Sequence, residues 1–134
     1  MTEDEATSQV SAFFRGLGLE TTLSLPVAAS IGEAFLEFGY VDAEQALSVS
    51  ALIYRFQAEP RPGVVKAALA AASKANTGGG RLVLEQGRVL LLRRDFTATI
   101  PDRRWAEDVD ALASASLLWV HDLFARAVEQ ANLS

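Results

Sequence analysis

Residues 34–56 read AFLEFGYVDAEQALSVSALIYRF. Two runs of period two are joined there by the polar stretch Asp42 to Gln45. In residues 34–40, Leu36, Phe38 and Tyr40 share one face, with Glu33, Glu37 and Gly39 opposite. In residues 46–56, Leu47, Val49, Ala51 and Ile53 line one face. Such alternation predicts strands that bury one side. The other face of 46–56 begins with Ser48 and Ser50 and finishes with Leu52, Tyr54 and Phe56. A solvated face does not turn apolar in this way, so those three residues either contact a partner or form core under a helix.

Working toward the N-terminus, residues 19–27 alternate again, with Leu19, Thr21, Leu23, Leu25 and Val27 on one side. The spacing predicts a first strand. Pro26 lacks an N–H for a ladder, so this strand ends early or lies on an edge. Ser30-Ile31-Gly32 then turns the chain. Before it, Val10, Phe13, Phe14 and Leu17 recur at helical spacing. Thr2 and Glu5 have capping-box spacing, Glu3, Asp4 and Glu5 suit a helix N-terminus, and Gly16 and Gly18 end the helix.

Toward the C-terminus, Glu59-Pro60-Arg61-Pro62-Gly63 breaks the sheet, and Pro62 suits a first helical turn. Residues 63–75, GVVKAALAAASKA, are dominated by alanine, the best helix former. Val65, Leu69 and Ala72 share a face whose small side chains let a neighbour approach closely. Asn76-Thr77-Gly78-Gly79-Gly80 ends that helix. Residues 81–85 and 88–96 predict a hairpin turning at Gln86-Gly87. Asp102 is a good N-cap for a long helix over about residues 103–131, along which Trp105, Val109, Leu112, Ser116, Trp119, Val120, Leu123, Phe124 and Ala127 recur on one face. The order α-β-β-β-α-β-β-α predicts one α+β domain, a twisted antiparallel sheet with helices.

The chain has 134 residues, half of them apolar, with a net charge of −5. That excludes disorder as the main state. The acidic balance argues against nucleic-acid binding. There is no cysteine and one histidine, His121, so neither a thiolate nucleophile nor a histidine cluster for a metal is available. The acidic N-terminal stretch is unlike a signal peptide, and no apolar run is long enough to insert in a membrane, so a cytoplasmic location is expected. Gly78-Gly79-Gly80 lacks the Lys-Ser/Thr that follows the last glycine of a P-loop. His121-Asp122 has no activated serine beside it. Glu33, Glu37, Glu107, Asp108 and Asp110 show no sign of the paired, shifted environment of a general acid, and read as solubilising charge. No enzyme activity and no cofactor are expected.

In this order the sequence resembles the class I type III secretion chaperones, the Tir-chaperone or CesT-like family. Phe14-Arg15-Gly16-Leu17-Gly18-Leu19 is similar to that family's first-helix ending, an aromatic before Leu-Gly-Leu. Leu36-Glu37-Phe38 lies where the family has a Leu-Glu strand. Ala75-Asn76 ends the second helix as the family's Leu-Leu-x-Ala-Asn does, and Gly79-Gly80-Arg81-Leu82-Val83-Leu84 resembles its Gly-Gly-x-Leu-x-Leu strand. Trp119 sits near the family's late tryptophan. Two features depart from the pattern. Ala71-Ala72-Ser73-Lys74 replaces paired leucines, and the first strand lacks a Gly-Cys stretch.

The resemblance implies a dimeric protein that holds the N-terminal segment of a secreted effector in extended form, keeping it soluble and ready for export. On that basis the client-binding residues are expected to be Val10, Phe13, Phe14, Leu17, Leu23, Leu25, Leu52, Tyr54 and Phe56. The dimer contact is expected at Val65, Leu69 and Ala72, with Leu90 and Leu92 nearby. The partner copy is either a second copy of this chain or a related chaperone. The alternative is an adaptor of the same fold that binds a folded protein.

Overall fold

The structure is a computed structural model that describes residues 1–19, 23–73, 75–125 and 129. Three helices and a five-stranded antiparallel sheet follow the expected order. Helix α1 spans Glu3–Gly16, β1 Val27–Ile31, β2 Ala34–Val41, β3 Ala46–Arg55, α2 Pro62–Ala72, β4 Arg81–Glu85, β5 Val89–Phe96 and α3 Asp102–Leu118. A π-helical turn, Trp119–Leu123, extends α3. The strands lie in the order β1-β2-β3-β5-β4, which leaves β1 and β4 at the edges.

Local chemistry sets both ends of α1. The Thr2 hydroxyl accepts from the Glu5 N–H at 3.1 Å, and the Glu5 carboxylate accepts from the Thr2 N–H at 2.9 Å, closing a capping box. That bond to the Thr2 backbone, helped by the Thr2 side chain, lowers the Glu5 pKa. At the other end the Gly18 N–H donates to the Arg15 carbonyl and the Leu19 N–H to the Phe14 carbonyl, both at 3.0 Å. Gly18 has φ +78°, which completes a Schellman motif. Tyr40 donates to the Met1 carbonyl at 2.7 Å and ties the start of α1 to β2. Burial, and then the charges of Asp42, Glu3 and Glu5, raise the Tyr40 pKa.

Register assigns the faces of the sheet. Phe38 pairs with Val49, Leu36 with Ala51, Ala51 with Leu92, and Leu82 with Leu92. These residues face α1 and α3 and form one core with Ala6, Val10, Phe14, Val64, Ala68, Trp105, Leu112 and Trp119. Trp105 is its hub, 4.7 Å from the Phe96 ring, 6.2 Å from Phe13 and 6.4 Å from Phe38. Full burial of a side chain such as Phe38 stabilises the fold by about 1.5–3 kcal/mol. The indole N–H groups of Trp105 and Trp119 are buried without a partner. Each costs about 1–3 kcal/mol, which ring burial offsets.

Four expectations are corrected. The first strand begins after Pro26, not at Leu19: Leu19 is spent on the cap of α1, and Pro26 has no N–H to pair. Thr21, on the expected strand, lies outside the described residues. Ser30 and Ile31 belong to β1, so the chain turns one step later, at Gly32-Glu33. Asp102 is the first helical residue and not the N-cap; Pro101 takes that place with no capping side chain. The last helix is not a uniform α-helix, because its backbone widens into a π turn from Trp119. Its expected continuation to residue 131 falls largely outside the described residues.

Candidate binding surfaces

The first apolar surface gathers where α1 meets β1. Phe13 and Phe14 at the end of α1 lie 6.0 Å and 5.5 Å from the ring of Phe38. Phe38 pairs with Val27 at the start of β1, which brings the helix end beside that edge strand. The Schellman turn then holds Leu17 and Leu19 out in solvent, 47% and 45% exposed. Leu23 and Leu25, leading into β1, are half-buried against the core, as is Phe13. Val10 and Phe14 are core residues with almost no surface. Among the described residues no strand lies beside the outer edge of β1. Half of its N–H and C=O groups therefore point away from the sheet.

A second surface crosses the open face of the sheet. Leu52 pairs with Leu91, and on the same side stand Phe35, Glu37, Ser50 and Val89. A groove there is lined only by strand and turn residues, among them Phe35, Leu52, Leu91, Glu37, Arg55 and Glu85. Phe35 and Leu52 also line a cleft toward the last helix, with Ala34, Ile53, Leu117 and Val120. His121 Nε2 stands 3.7 Å from a Glu33 carboxylate oxygen at that cleft, an ion pair only when the imidazole is protonated. The far end of this face is charged. Asp95 bridges Arg93 at 2.9 Å and Arg81 at 3.4 Å, and Arg93 also reaches Glu44 at 3.8 Å.

Leu52, Tyr54 and Phe56 do not share a face, contrary to the alternation in the sequence. The register shifts between Leu52 and Tyr54, with Tyr54 paired to Leu90 on the helix side. Ile53 is the extra residue of a β-bulge, which reverses the alternation beyond it. Tyr54 and Phe56 therefore meet Phe124 of the last helix, with ring centroids 5.0 Å and 5.7 Å away. Of the three, Leu52 is the one that stays on the open face. Sequence reasoning missed Phe35 and Leu117, and it placed Val120 on the same helix face as Trp105 and Trp119, whereas Val120 is exposed at the cleft. The signal for Phe35 was available, because it alternates with Leu36 and so had to face outward from an apolar strand.

The third surface lies along α2. Val64 and Ala68 are buried, while Leu69 is 52% exposed and Val65 and Ala72 are half-buried. The proposed stripe is thus an outer face of the helix. Leu90 and Leu92 are core residues, 3% and 0% exposed, and offer no surface to a partner. Among the described residues no three His, Cys, Asp or Glu side chains come together as a metal site, and no helix is long and apolar enough to cross a membrane.

No family model and no curated protein matches the sequence. Solved structures do match. The ExsC–ExsE complex contains a chain with a TM-score of 0.71 at 11% identity, covering 92% of this chain and 97% of that one. The HopA1–SchA chaperone–effector complex gives 0.59 at 14% identity, over 90% and 98%. The Yersinia pestis type III secretion chaperone SycH, solved with a fragment of YscM2, gives 0.58 at 16% identity, over 85% and 98%. Nearly the full length of each chain takes part, helices and sheet together, and the protein has the fold of the type III secretion chaperones.

Proposed function

We propose that this protein is a type III secretion chaperone that binds a segment of a secreted effector in extended form and keeps it soluble for export, acting in the cytoplasm as a dimer. The observation that carries the reading is the pairing of two features at one place. Leu17 and Leu19 are held in solvent by a well-formed helix cap, and the adjoining strand β1 has an outer edge that no strand covers among the described residues. An unfolded client supplies what such a place lacks: a backbone to pair with the edge and apolar side chains to cover the leucines. The shared fold supports the reading, since HopA1–SchA was solved as a chaperone–effector complex and SycH is named a type III secretion chaperone. The outer stripe of α2, smooth and free of acids, supports a contact between two copies. No step of this function requires catalysis or a cofactor.

The test is co-expression in a secreting bacterium, recovery of the bound client and mapping of the segment protected from protease. Leu17→Ser with Leu19→Ser should weaken binding of that segment about tenfold, the effect expected for losing part of two leucine contacts. Unchanged affinity, or capture of a client that is folded throughout, contradicts the reading.

A further inference from the structure

The cleft between the last helix and the sheet and the groove on the open face have two residues in common, Phe35 and Leu52. We propose that together they form a second binding channel for an extended, basic segment of the partner, with apolar side chains at alternate positions and Lys or Arg between them. This rests on the chaperone reading above and extends it from the edge of β1 to the open face of the sheet, where Phe35 is paired with Ser30 of β1.

The floor of the channel is apolar. Leu117 and Val120 stand at one end, Phe35 and Leu52 in the middle, Val89 and Leu91 at the other. Phe35 and Val120 are each 44% exposed, too much apolar surface at one place to be incidental scatter. An extended chain sends successive side chains to opposite sides. Alternate residues of a bound segment therefore meet this floor, and those between point toward solvent and the rim. Glu33, Glu37 and Glu85 stand among the lining residues, with Arg55 as the cation opposing them and His121 beside Glu33. Long basic side chains at the intervening positions can reach over the rim to those carboxylates.

The same charges speak against a second copy of this chain as the occupant. Each copy carries a net charge of −5, and an acidic rim facing an acidic protein is repelled. Helix α2 differs, because Pro62–Ala72 contains no acid, and it is the better face for a copy.

Two synthetic peptides of equal length test the channel, one alternating valine with lysine and one alternating valine with glutamate. They are titrated into the full chain by NMR at low and moderate salt. The lysine peptide should bind at least tenfold tighter than the glutamate peptide, weaken with salt, and shift the amide signals of Phe35, Leu52, Val89 and Val120. Glu37→Lys with Glu85→Lys should reverse the preference. Phe35→Ser with Val120→Ser should weaken the lysine peptide tenfold while circular dichroism stays near wild type. Equal affinity for both peptides, shifts confined to other residues, or a preference that survives the charge reversal overturns the channel. So does a sedimentation change on Phe35→Ser with Val120→Ser, which assigns the face to a second copy. If the client is still captured through Leu17 and Leu19 while the peptides fail here, the channel falls and the chaperone reading stands.

Discussion

A Cβ atom added at Gly78 would lie 2.5 Å from the carbonyl oxygen of Ala111 and 2.7 Å from the Cα of Leu112, both on the backbone of α3. Neither can move without moving the helix. Gly78 also has φ +62°, which an L side chain resists. Gly78→Ala should therefore destabilise the fold by roughly 2–4 kcal/mol, overpacking and backbone strain together. Gly79→Ala should cost less: its new Cβ meets the Arg94 guanidinium at 2.7 Å, the far end of a flexible side chain. Urea unfolding of the two variants checks the order, and an equal loss would contradict the close approach at Gly78. The glycine run was legible as the end of a helix. Its contact with α3 was not, because nothing local marks which backbone a loop will touch. Ile53 is a second case. In ALIYRF the large apolar residues Leu52, Ile53, Tyr54 and Phe56 fall on both sides of the strand, and the mark of an inserted residue is Arg55, which plain alternation would place on the core side. The register separates Leu52 from Tyr54 and Phe56.

Elements were more legible than the contacts between them. The strands at 34–41 and 46–55 and the hairpin turning at Gln86-Gly87 follow from alternation and turn chemistry. β1 was displaced because two rules competed. Alternation extended the strand back to Leu19, while the Schellman cap took Leu19 and Pro26 withheld its N–H. In α2 the inner and outer faces follow from helical spacing, with Val64 and Ala68 in and Leu69 out. The stripe of Val65, Leu69 and Ala72 is the surface on which copies are proposed to meet. Leu69→Asp places a charge at its centre without touching the core, since the residue is half exposed. Sedimentation should then report a monomer with native circular dichroism. A dimer that persists would move the copy contact to another face.

On the scale of the whole molecule, the order of elements and the single core were present in the sequence, because each element buries one face and the sum makes two layers. The binding surfaces were legible only in part. Val10 and Phe14, expected on a groove, turned inward, since helix periodicity marks an apolar face but not what covers it. Phe35 and Val120 turned outward from elements whose neighbours are core. What the fold offers is an acidic body with apolar surface at the α1–β1 junction and on the open sheet face, and an acid-free helix face elsewhere. The central claim is that an unfolded client segment pairs with β1 beside Leu17 and Leu19. Hydrogen exchange on the complex with the mapped client, compared with each partner alone, tests it most directly. The account predicts that the amides of Val27–Ile31 and of the client segment gain protection together, with the same segment unprotected when free. A client that keeps its own protection pattern, with no change at β1 or at Leu17 to Leu19, would show binding of a folded partner on another surface and contradict the account.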